Sequence, residues 1–223
     1  MGKLTVAIDG PAGAGKSSVS RLVAKRLHYL YIDTGAMYRA FTWAMQHEHI
    51  DIEDGAAVQA LTERIDIRLE PLEDACRVFV GTTEVTEAIR TQDVSSCVSS
   101  VSALAVVREK LVQLQRNMAK GGGVILDGRD IGTVVLPQAD LKIFLTASVA
   151  SRARRRYLEV QAKGGTETLE DIAASIAARD DMDSHRAVSP LKQADDAILL
   201  DNSELNLEET ADVITDLIQQ RSR

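Results

Sequence analysis

The chain has 223 residues, of which 45% are hydrophobic and 26% are charged, and its formal net charge is −7 at pH 7. The acidic balance argues against a broad nucleic-acid-binding face, because such faces are usually basic. No apolar run is long enough to span a bilayer, no leader or myristoylation signal is visible, and the two cysteines lack metal-ligand spacing. We therefore expect a cytoplasmic protein with reduced thiols and with neither a nucleic acid nor a membrane as partner.

The N-terminal segment predicts a strand, a glycine loop and a helix. The stretch "LTVAID" (4–9) has the composition of a strand, and "GPAGAGKSS" (10–18) fits the G-x-x-x-x-G-K-[ST] pattern of a phosphate-binding loop. Apolar residues then recur at helical spacing, namely Val19, Leu22, Val23 and Leu27. In such a loop, glycines let backbone N–H groups face an anion, Lys16 adds positive charge, and Ser17 offers a hydroxyl to Mg²⁺. This order favours a phosphate site over a glycine-rich turn that binds nothing.

Four further apolar runs predict strands, at 29–33, 123–127, 141–145 and 197–201. The runs are continuous rather than alternating, which is typical of strands buried on both faces. Helical stretches separate most of them, so we expect an α/β fold with a parallel sheet and helices on both sides. Residues 93–118 predict one long amphipathic helix, and residues 205–221 predict a C-terminal helix that packs on the core.

Two segments do not fit this simple sheet. Residues 63–90 contain short, partly alternating runs around Pro71 and Gly81, which predict a small inserted antiparallel sheet. Residues 150–180 are strongly charged and predict two exposed helices joined at Gly164 and Gly165. A charged helix pair with a glycine joint is typical of a mobile lid.

Charged residues in unusual positions are candidates for the site. Arg108 lies seven residues after Val101, on the apolar stripe of the long helix. It either extends to the edge of that face or reaches a site that holds an anion or a polar ligand. Asp127 ends a predicted strand, at the sheet edge where ligands bind in open α/β folds. It is positioned to hold Mg²⁺ through water, or it is a turn residue beside a surface ion pair formed by Arg129 and Asp130.

Two arginine-rich stretches follow in the second half of the chain. The stretch "SRARRRY" places Arg152, Arg155 and Arg156 on one helical face, which suits the neutralisation of a migrating phosphoryl group. The stretch "ARDDMDSHRAVSP" (178–190) alternates arginine and aspartate. A solvated basic face and a web of surface salt bridges are the respective alternatives.

Taken together, these motifs resemble one family along nearly the whole chain. The stretches that carry the likeness are "IDGPAGAGKSS", "DTGAMYR", "EAIRTQDVS", "DGRDIGTVV", "IFLTAS" and "RDDMDSHRAVSPL". They are similar to the bacterial cytidylate kinases, nucleoside monophosphate kinases of pyrimidine nucleotide metabolism that phosphorylate CMP and dCMP from ATP. The 63–90 segment resembles the enlarged monophosphate-binding insert that separates this family from the adenylate kinases.

The resemblance implies a role for each matched residue. ATP would lie on the loop formed by Gly10, Pro11, Ala12, Gly13, Ala14, Gly15, Lys16, Ser17 and Ser18. CMP would contact Thr34, Tyr38, Arg39, Ser99, Arg108, Arg129, Asp130, Arg179, Asp183 and Arg186. In that set, Ser99, Arg108 and Asp130 would read the cytosine edge. Arg39, Arg129 and Arg186 would meet phosphate, and Arg179 and Asp183 the ribose. Thr34 stands where the family usually has serine. The residues expected to act in catalysis are Lys16, Arg129, Arg152, Arg155 and Arg156.

The implied architecture is a P-loop NTPase fold with a five-stranded parallel sheet flanked by helices. Its core would comprise residues 1–36, 89–149 and 182–223, its monophosphate-binding insert residues 37–88 and its lid residues 150–181. The implied cofactors are ATP as phosphoryl donor and Mg²⁺, the substrates are CMP and dCMP, and the expected state is a monomer.

Three rival functions remain open at this stage. The first is a kinase of the same fold with another acceptor, such as UMP, AMP or shikimate. The second is a nucleotide-dependent switch protein, although the chain lacks the N-K-x-D motif of the GTPases. The third is an inactive binding module, against which the intact Lys16 and Ser17 argue.

Overall fold

The computed structural model describes residues 3–72, 76–162 and 164–222. The strands are β1 (Thr5–Asp9), β2 (Leu30–Asp33), β3 (Ile67–Pro71), β4 (Cys76–Val80), β5 (Thr83–Glu84), β6 (Val124–Gly128), β7 (Leu141–Thr146) and β8 (Ile198–Asp201). The helices are α1 (Lys16–Leu27), α2 (Thr34–His47), α3 (Gly55–Arg64), α4 (Gln92–Ala103), α5 (Ala105–Ala119), α6 (Val149–Ala162), α7 (Leu169–His185) and α8 (Leu207–Arg221). A 3₁₀ turn covers Ala88–Arg90 and a π-helical turn covers Ile131–Val135.

The main sheet has five parallel strands in the order β2-β6-β1-β7-β8, which confirms the predicted fold class. Side chains of the central strands alternate between two cores, as the period of two along a strand requires. On one face, α1 and α8 pack on residues such as Val6 and Ile143. On the other, α2, α3 and α5 enclose Ala7, Val124 and Leu126. The predicted C-terminal helix is thus confirmed as part of the core.

The outer strands differ from the prediction of burial on both faces. Strands β1 and β6 are buried almost throughout, but β2 and β8 are the edges of the sheet. Leu30, Ile198 and Leu199 are exposed on these edges. A continuous apolar run therefore identified the strands correctly, but it did not distinguish a central strand from an edge strand.

The single long helix predicted over residues 93–118 is wrong. The chain forms α4 and α5, which meet at Leu104, a residue with an extended backbone (φ −70°, ψ 121°). Both helices bury an apolar stripe, and a continuous periodicity does not reveal a one-residue break between them. Arg108 consequently belongs to the first turn of α5, with its side chain in the interior rather than at an exposed edge.

The predicted antiparallel insert is present as the sheet β3-β4-β5. The predicted charged helix pair is also present as α6 and α7, which enclose a small apolar cluster of Ala153, Val160, Ile172 and Ile176. Gly164 lies between the two helices with a φ of 77°, a conformation that favours glycine. No helix in the described ranges is both long and apolar enough to cross a membrane.

Candidate active site

The site lies at the carboxyl edge of the main sheet, where several strands have an acidic residue at their last or next-to-last position. These residues are Asp9 of β1, Asp33 of β2, Asp127 of β6 and Asp201 of β8. Parallel strands bring their carboxyl ends to one edge, and ligands of open α/β folds bind there. The glycine loop follows β1 directly, so the fold places it beside these carboxylates.

The glycine loop has the backbone geometry of an anion cradle. Gly10, Gly13 and Gly15 have φ values of 148°, 75° and 84°, in the region that favours glycine. Gly15 is also the N-cap of α1, so the positive end of the helix dipole faces the loop. Gly10 has a separate role, because a Cβ there would collide with the carbonyl oxygen of Leu145 in β7.

Lys16 is a buried cation at the centre of the loop. Its ammonium group donates to the carbonyl oxygen of Pro11 at 2.7 Å. Burial lowers the pKa of Lys16 and the nearby Arg129 lowers it further, whereas Asp127 and Asp9 raise it. The net shift is downward, so the surrounding carboxylates do not fully compensate the charge. An anionic ligand would restore that balance.

Ser17, Asp127 and Tyr31 form a compact oxygen cluster beside the loop. The Ser17 hydroxyl donates to Oδ2 of Asp127 at 2.8 Å, and the Tyr31 hydroxyl donates to Oδ1 at 2.8 Å. Burial and then the neighbouring Asp33 raise the pKa of Asp127. The donor set fits a Mg²⁺ ion that keeps most of its ligands as water and phosphate oxygens. The described ranges hold no group of three or more His, Cys, Asp or Glu that could hold a metal.

A second cluster lies across the cavity and is built on Asp130. Nη2 of Arg108 donates to its Oδ2, and Nη2 of Arg186 lies 3.6 Å from its Oδ1. The guanidinium of Arg108 also lies 5.4 Å from the ring centroid of Tyr38, in cation–π range. Burial raises the pKa of Tyr38 to about 12, so its hydroxyl stays protonated. The interior position of Arg108 fits the predicted ligand site and rules out extension to solvent.

A third group of arginines lies between the loop and the Asp130 cluster. Arg129 donates to Asp183 at 2.7 Å, and Arg39 pairs with Asp33 at 3.2 Å. Burial and then Arg129 lower the pKa of Arg179. At four arginines of the site, a buried guanidinium nitrogen lacks a hydrogen-bond partner within the described chain, namely Nε of Arg39, Arg108 and Arg179 and Nη2 of Arg186. Such donors are costly unless a ligand accepts from them.

One cavity of about 320 Å³ connects these clusters. The predicted residues that line it are Ala12, Gly13, Gly15, Lys16, Ser17, Ser18, Thr34, Tyr38, Arg39, Ser99, Arg108, Asp127, Arg129, Asp130, Arg179, Asp183 and Arg186. The lining carries six Lys or Arg side chains against five Asp or Glu side chains, although the whole chain has a net charge of −7. The lining is therefore rich in charges of both signs, with one formal positive charge in excess in a chain that is acidic overall.

The other predicted residues lie outside the lining. Gly10 approaches β7, Ala14 is fully buried, and the Pro11 carbonyl accepts from Lys16. Arg152 donates to the Ala12 and Ala147 carbonyls and to both oxygens of Asp180. Arg155 donates to the carbonyls of Asn202 and Leu205. Arg156 is half-exposed and pairs with Glu159, which itself lines the cavity. The predicted shared face of these three arginines thus divides into three different environments.

Some residues at the site are not among those predicted from the sequence. Tyr31 and Asp33 contact predicted residues, and Asn202 donates to the Ala14 carbonyl of the glycine loop at 3.0 Å. Asp9 accepts from the backbone N–H groups of Ile131 and Gly132. A signal was available, since Asp9, Asp33 and Asn202 end or follow apolar strands as Asp127 does.

Comparisons with known proteins agree with this geometry. The family model described as cytidylate kinase matches residues 6–220. Among curated relatives, the cytidylate kinase of Exiguobacterium sibiricum is 52% identical over 219 residues, covering 98% of each chain. That of Bacillus subtilis is 49% identical over 221 residues, covering 99% of each. A shikimate kinase from Bacteroides thetaiotaomicron shares the fold, with a TM-score of 0.50 at 12% identity over 97% of this chain and 98% of its own. These matches over nearly the full length, together with the glycine loop and the arginine-lined cavity, show that the chain belongs to the cytidylate kinase family.

Proposed function

We propose that the chain transfers the γ-phosphoryl group of ATP to the phosphate of CMP or dCMP, giving ADP and CDP or dCDP. The observation that carries this proposal is a cavity with a phosphate loop at one end and, along the other walls, buried guanidinium nitrogens that have no hydrogen bond within the described chain. Two anionic nucleotides must meet in line, so several phosphates have to be neutralised at once. The six Lys and Arg side chains that line this cavity suit that task.

On the donor side, the ATP phosphates lie on the loop from Gly10 to Ser18. The loop glycines and the N-terminus of α1 supply N–H groups. The Lys16 ammonium group stabilises the negative charge of the transferring phosphoryl group in the transition state. Ser17 and Asp127, the latter through water, would hold Mg²⁺, which would neutralise the charge that develops on the phosphates. The observed Ser17–Asp127 contact keeps both oxygens on the side of the loop where those phosphates lie.

On the acceptor side, the Asp130 cluster reads the base. The exocyclic amine of cytosine donates to Asp130 and Ser99, and Arg108 donates to the ring edge. Uracil presents a carbonyl in place of that amine, so the buried acceptors would stay unpaired and the Asp130 carboxylate would face another acceptor. This arrangement gives Arg108 its role on an otherwise apolar helix face.

The remaining lining residues hold the ribose and the acceptor phosphate. Asp183 and Arg179 meet the ribose, and Tyr38, Arg39, Arg129 and Arg186 meet the phosphate. Thr34, whose hydroxyl donates to the Asp127 carbonyl at 2.7 Å, would lie near the nucleotide that is phosphorylated. The acceptor phosphate thereby faces Lys16 and Arg129, and its oxygen attacks the γ-phosphorus directly, with no covalent protein intermediate.

The helices α6 and α7 act as a lid that excludes water, which would otherwise take the phosphoryl group. Arg152 and Arg155 are held by backbone carbonyls near the glycine loop, so they fix the base of the lid. Arg156 has a half-exposed guanidinium whose partner is Glu159, which favours it as the lid arginine that reaches the transferring group. The cytoplasmic location, the monomeric state and the exact boundaries of insert and lid stay predictions.

The experiment that tests this function follows the phosphoryl group itself. The purified chain is incubated with CMP, Mg²⁺ and ATP labelled at the γ-phosphorus, and the products are separated by chromatography. The expected result is label in the β-phosphate of CDP, lost when EDTA removes Mg²⁺. Label found only in inorganic phosphate would contradict the proposal, because it would show hydrolysis in place of transfer.

A further inference from the structure

Asp9 is buried at the junction of the two halves of the site. It ends β1, immediately before the glycine loop, and it is 5% exposed. Its Oδ1 accepts from the N–H of Ile131 at 2.7 Å, and its Oδ2 accepts from the N–H of Gly132 at 2.7 Å. Asp9 does not line the cavity. Its carboxylate is therefore directed at the backbone of the acceptor loop and away from the nucleotide space.

The two N–H groups open the π-helical turn Ile131–Val135, whose N-cap residue is Asp130. An aspartate at an N-cap usually accepts from the first N–H groups of its own helix. Here the Asp130 carboxylate makes no such bond within the described chain, and it binds Arg108 and faces Arg186 instead. Asp9 supplies the capping carboxylate from another strand, which leaves Asp130 available to the cavity.

We propose that Asp9 is a positioning residue that caps the 131–135 turn in place of Asp130, and so holds the Asp130 carboxylate in the geometry that reads cytosine. The inference rests on the proposed function and deepens it. Without Asp9, the turn would compete for the Asp130 side chain, because two buried N–H groups would lack acceptors. Asp9 also joins the donor and acceptor loops, since Gly10 follows it directly.

The test is Asp9→Asn, which keeps the shape of the side chain. Its amide oxygen still accepts from one N–H group, but its NH₂ group faces the other donor. We expect the kcat/KM ratio of CMP to UMP to fall about tenfold or more, the equivalent of one lost hydrogen bond. The KM for CMP rises, whereas the KM for ATP changes by less than about threefold, since the loop glycines are untouched.

A matched control is available at the other end of the same strand. The Oδ2 of Asp140 accepts from the N–H of Thr5, the first residue of β1, at 2.7 Å. Asp140→Asn therefore makes the same chemical change at another side chain-to-backbone acceptor far from the cavity, and it should leave the CMP to UMP ratio of kcat/KM unchanged. Thermal unfolding of both variants separates the loss of stability from the loss of discrimination.

A milder variant covers the case in which Asp9→Asn does not fold. A Cβ at Gly132 would lie 3.3 Å from Oδ2 of Asp9 and 3.1 Å from Lys142, so Gly132→Ala displaces the same contact by a small amount. Gly132→Ala should also lower the ratio of kcat/KM for CMP to kcat/KM for UMP. A preserved ratio in the folded variants would overturn the proposal and leave Asp9 a structural residue. An equal fall in kcat/KM for CMP and UMP, together with a raised KM for ATP, would also overturn the proposal. If the wild type itself does not prefer CMP to UMP, the proposed function fails. This result is distinct from failure of the Asp9 proposal, in which the wild type prefers CMP and the variants keep that preference.

Discussion

Replacement of Asp130 by alanine perturbs the base-reading cluster at its centre. The Asp130 side chain is 6% exposed, and it lies between the buried guanidinium groups of Arg108 and Arg186. Its removal leaves both cations without this counter-charge. Breaking a buried ion pair from one side costs about 3–5 kcal/mol of stability, so the unfolding midpoint should fall clearly.

The effect on specificity is separable from that loss. A hydrogen bond to a charged acceptor contributes about 1.5–3 kcal/mol, which corresponds to roughly 10- to 150-fold in kcat/KM for CMP. UMP has no amine to donate to Asp130, so its kcat/KM should fall less. The CMP to UMP ratio should therefore decrease by about tenfold or more.

The assay is steady-state ADP release at saturating ATP, with CMP or UMP varied, at a temperature where circular dichroism shows the variant to be folded. Asp181→Ala is the control, because Asp181 is an exposed aspartate on α7 that pairs with His185. The control should keep the wild-type ratio. Equal losses on CMP and UMP in Asp130→Ala would refute the reasoning, since Asp130 would then organise the fold without reading the base.

Three further predictions concern the loop and its strand. Lys16→Met should lower kcat by about 10²–10³ in single-turnover measurements, whereas the exposed Lys120→Met should not; a near-normal rate would remove Lys16 from the mechanism. Gly10→Ala should abolish or severely destabilise folding in thermal melts through its collision with Leu145, and Gly55→Ala, which meets nothing within 4 Å, should be close to neutral. Burial raises the pKa of Asp9 from 3.8 to about 6, so the folded state binds its proton more tightly than the unfolded state. The contribution of Asp9 to stability is then full below pH 4 and is lost as the pH rises through 6, by up to about 3 kcal/mol. Urea unfolding of Asp9→Asn against wild type across this range should show that slope, and parallel pH curves would contradict it.

The helices and strands were easier to predict from the sequence than their positions in the sheet and their exact ends. The glycine loop and the parallel sheet were predictable, because the loop pattern is specific and strand composition is local. The edge position of β8 was not predictable, since it depends on the order in which distant strands pair in the sheet. The break at Leu104 also escaped, because one extended residue leaves the apolar stripes of α4 and α5 in phase.

For the site, likewise, the sequence predicts which residues take part better than it predicts which residues they contact. Asp127 was found from its place after a strand, and the same logic applied to Asp9 would have placed it at that edge. Its bonds to Ile131 and Gly132 join residues more than 120 positions apart, and only the packed sheet brings them together. The different partners of Arg152, Arg155 and Arg156 likewise depend on where the glycine loop and the segment after β8 lie against α6.

The most direct test of the account is a competition among acceptors. Wild-type chain, ATP and Mg²⁺ are mixed with equimolar CMP, dCMP, UMP, AMP and GMP, and the early diphosphate products are quantified together. Each transfer also releases one ADP from ATP, so phosphorylation of AMP is measured as ADP in excess of the summed CDP, dCDP, UDP and GDP. The account predicts that CDP and dCDP dominate among those four products, with little UDP, less GDP and no such excess of ADP. Dominance of UDP or GDP, or a large excess of ADP over the other diphosphates, would contradict the roles of Ser99, Arg108 and Asp130 in reading cytosine.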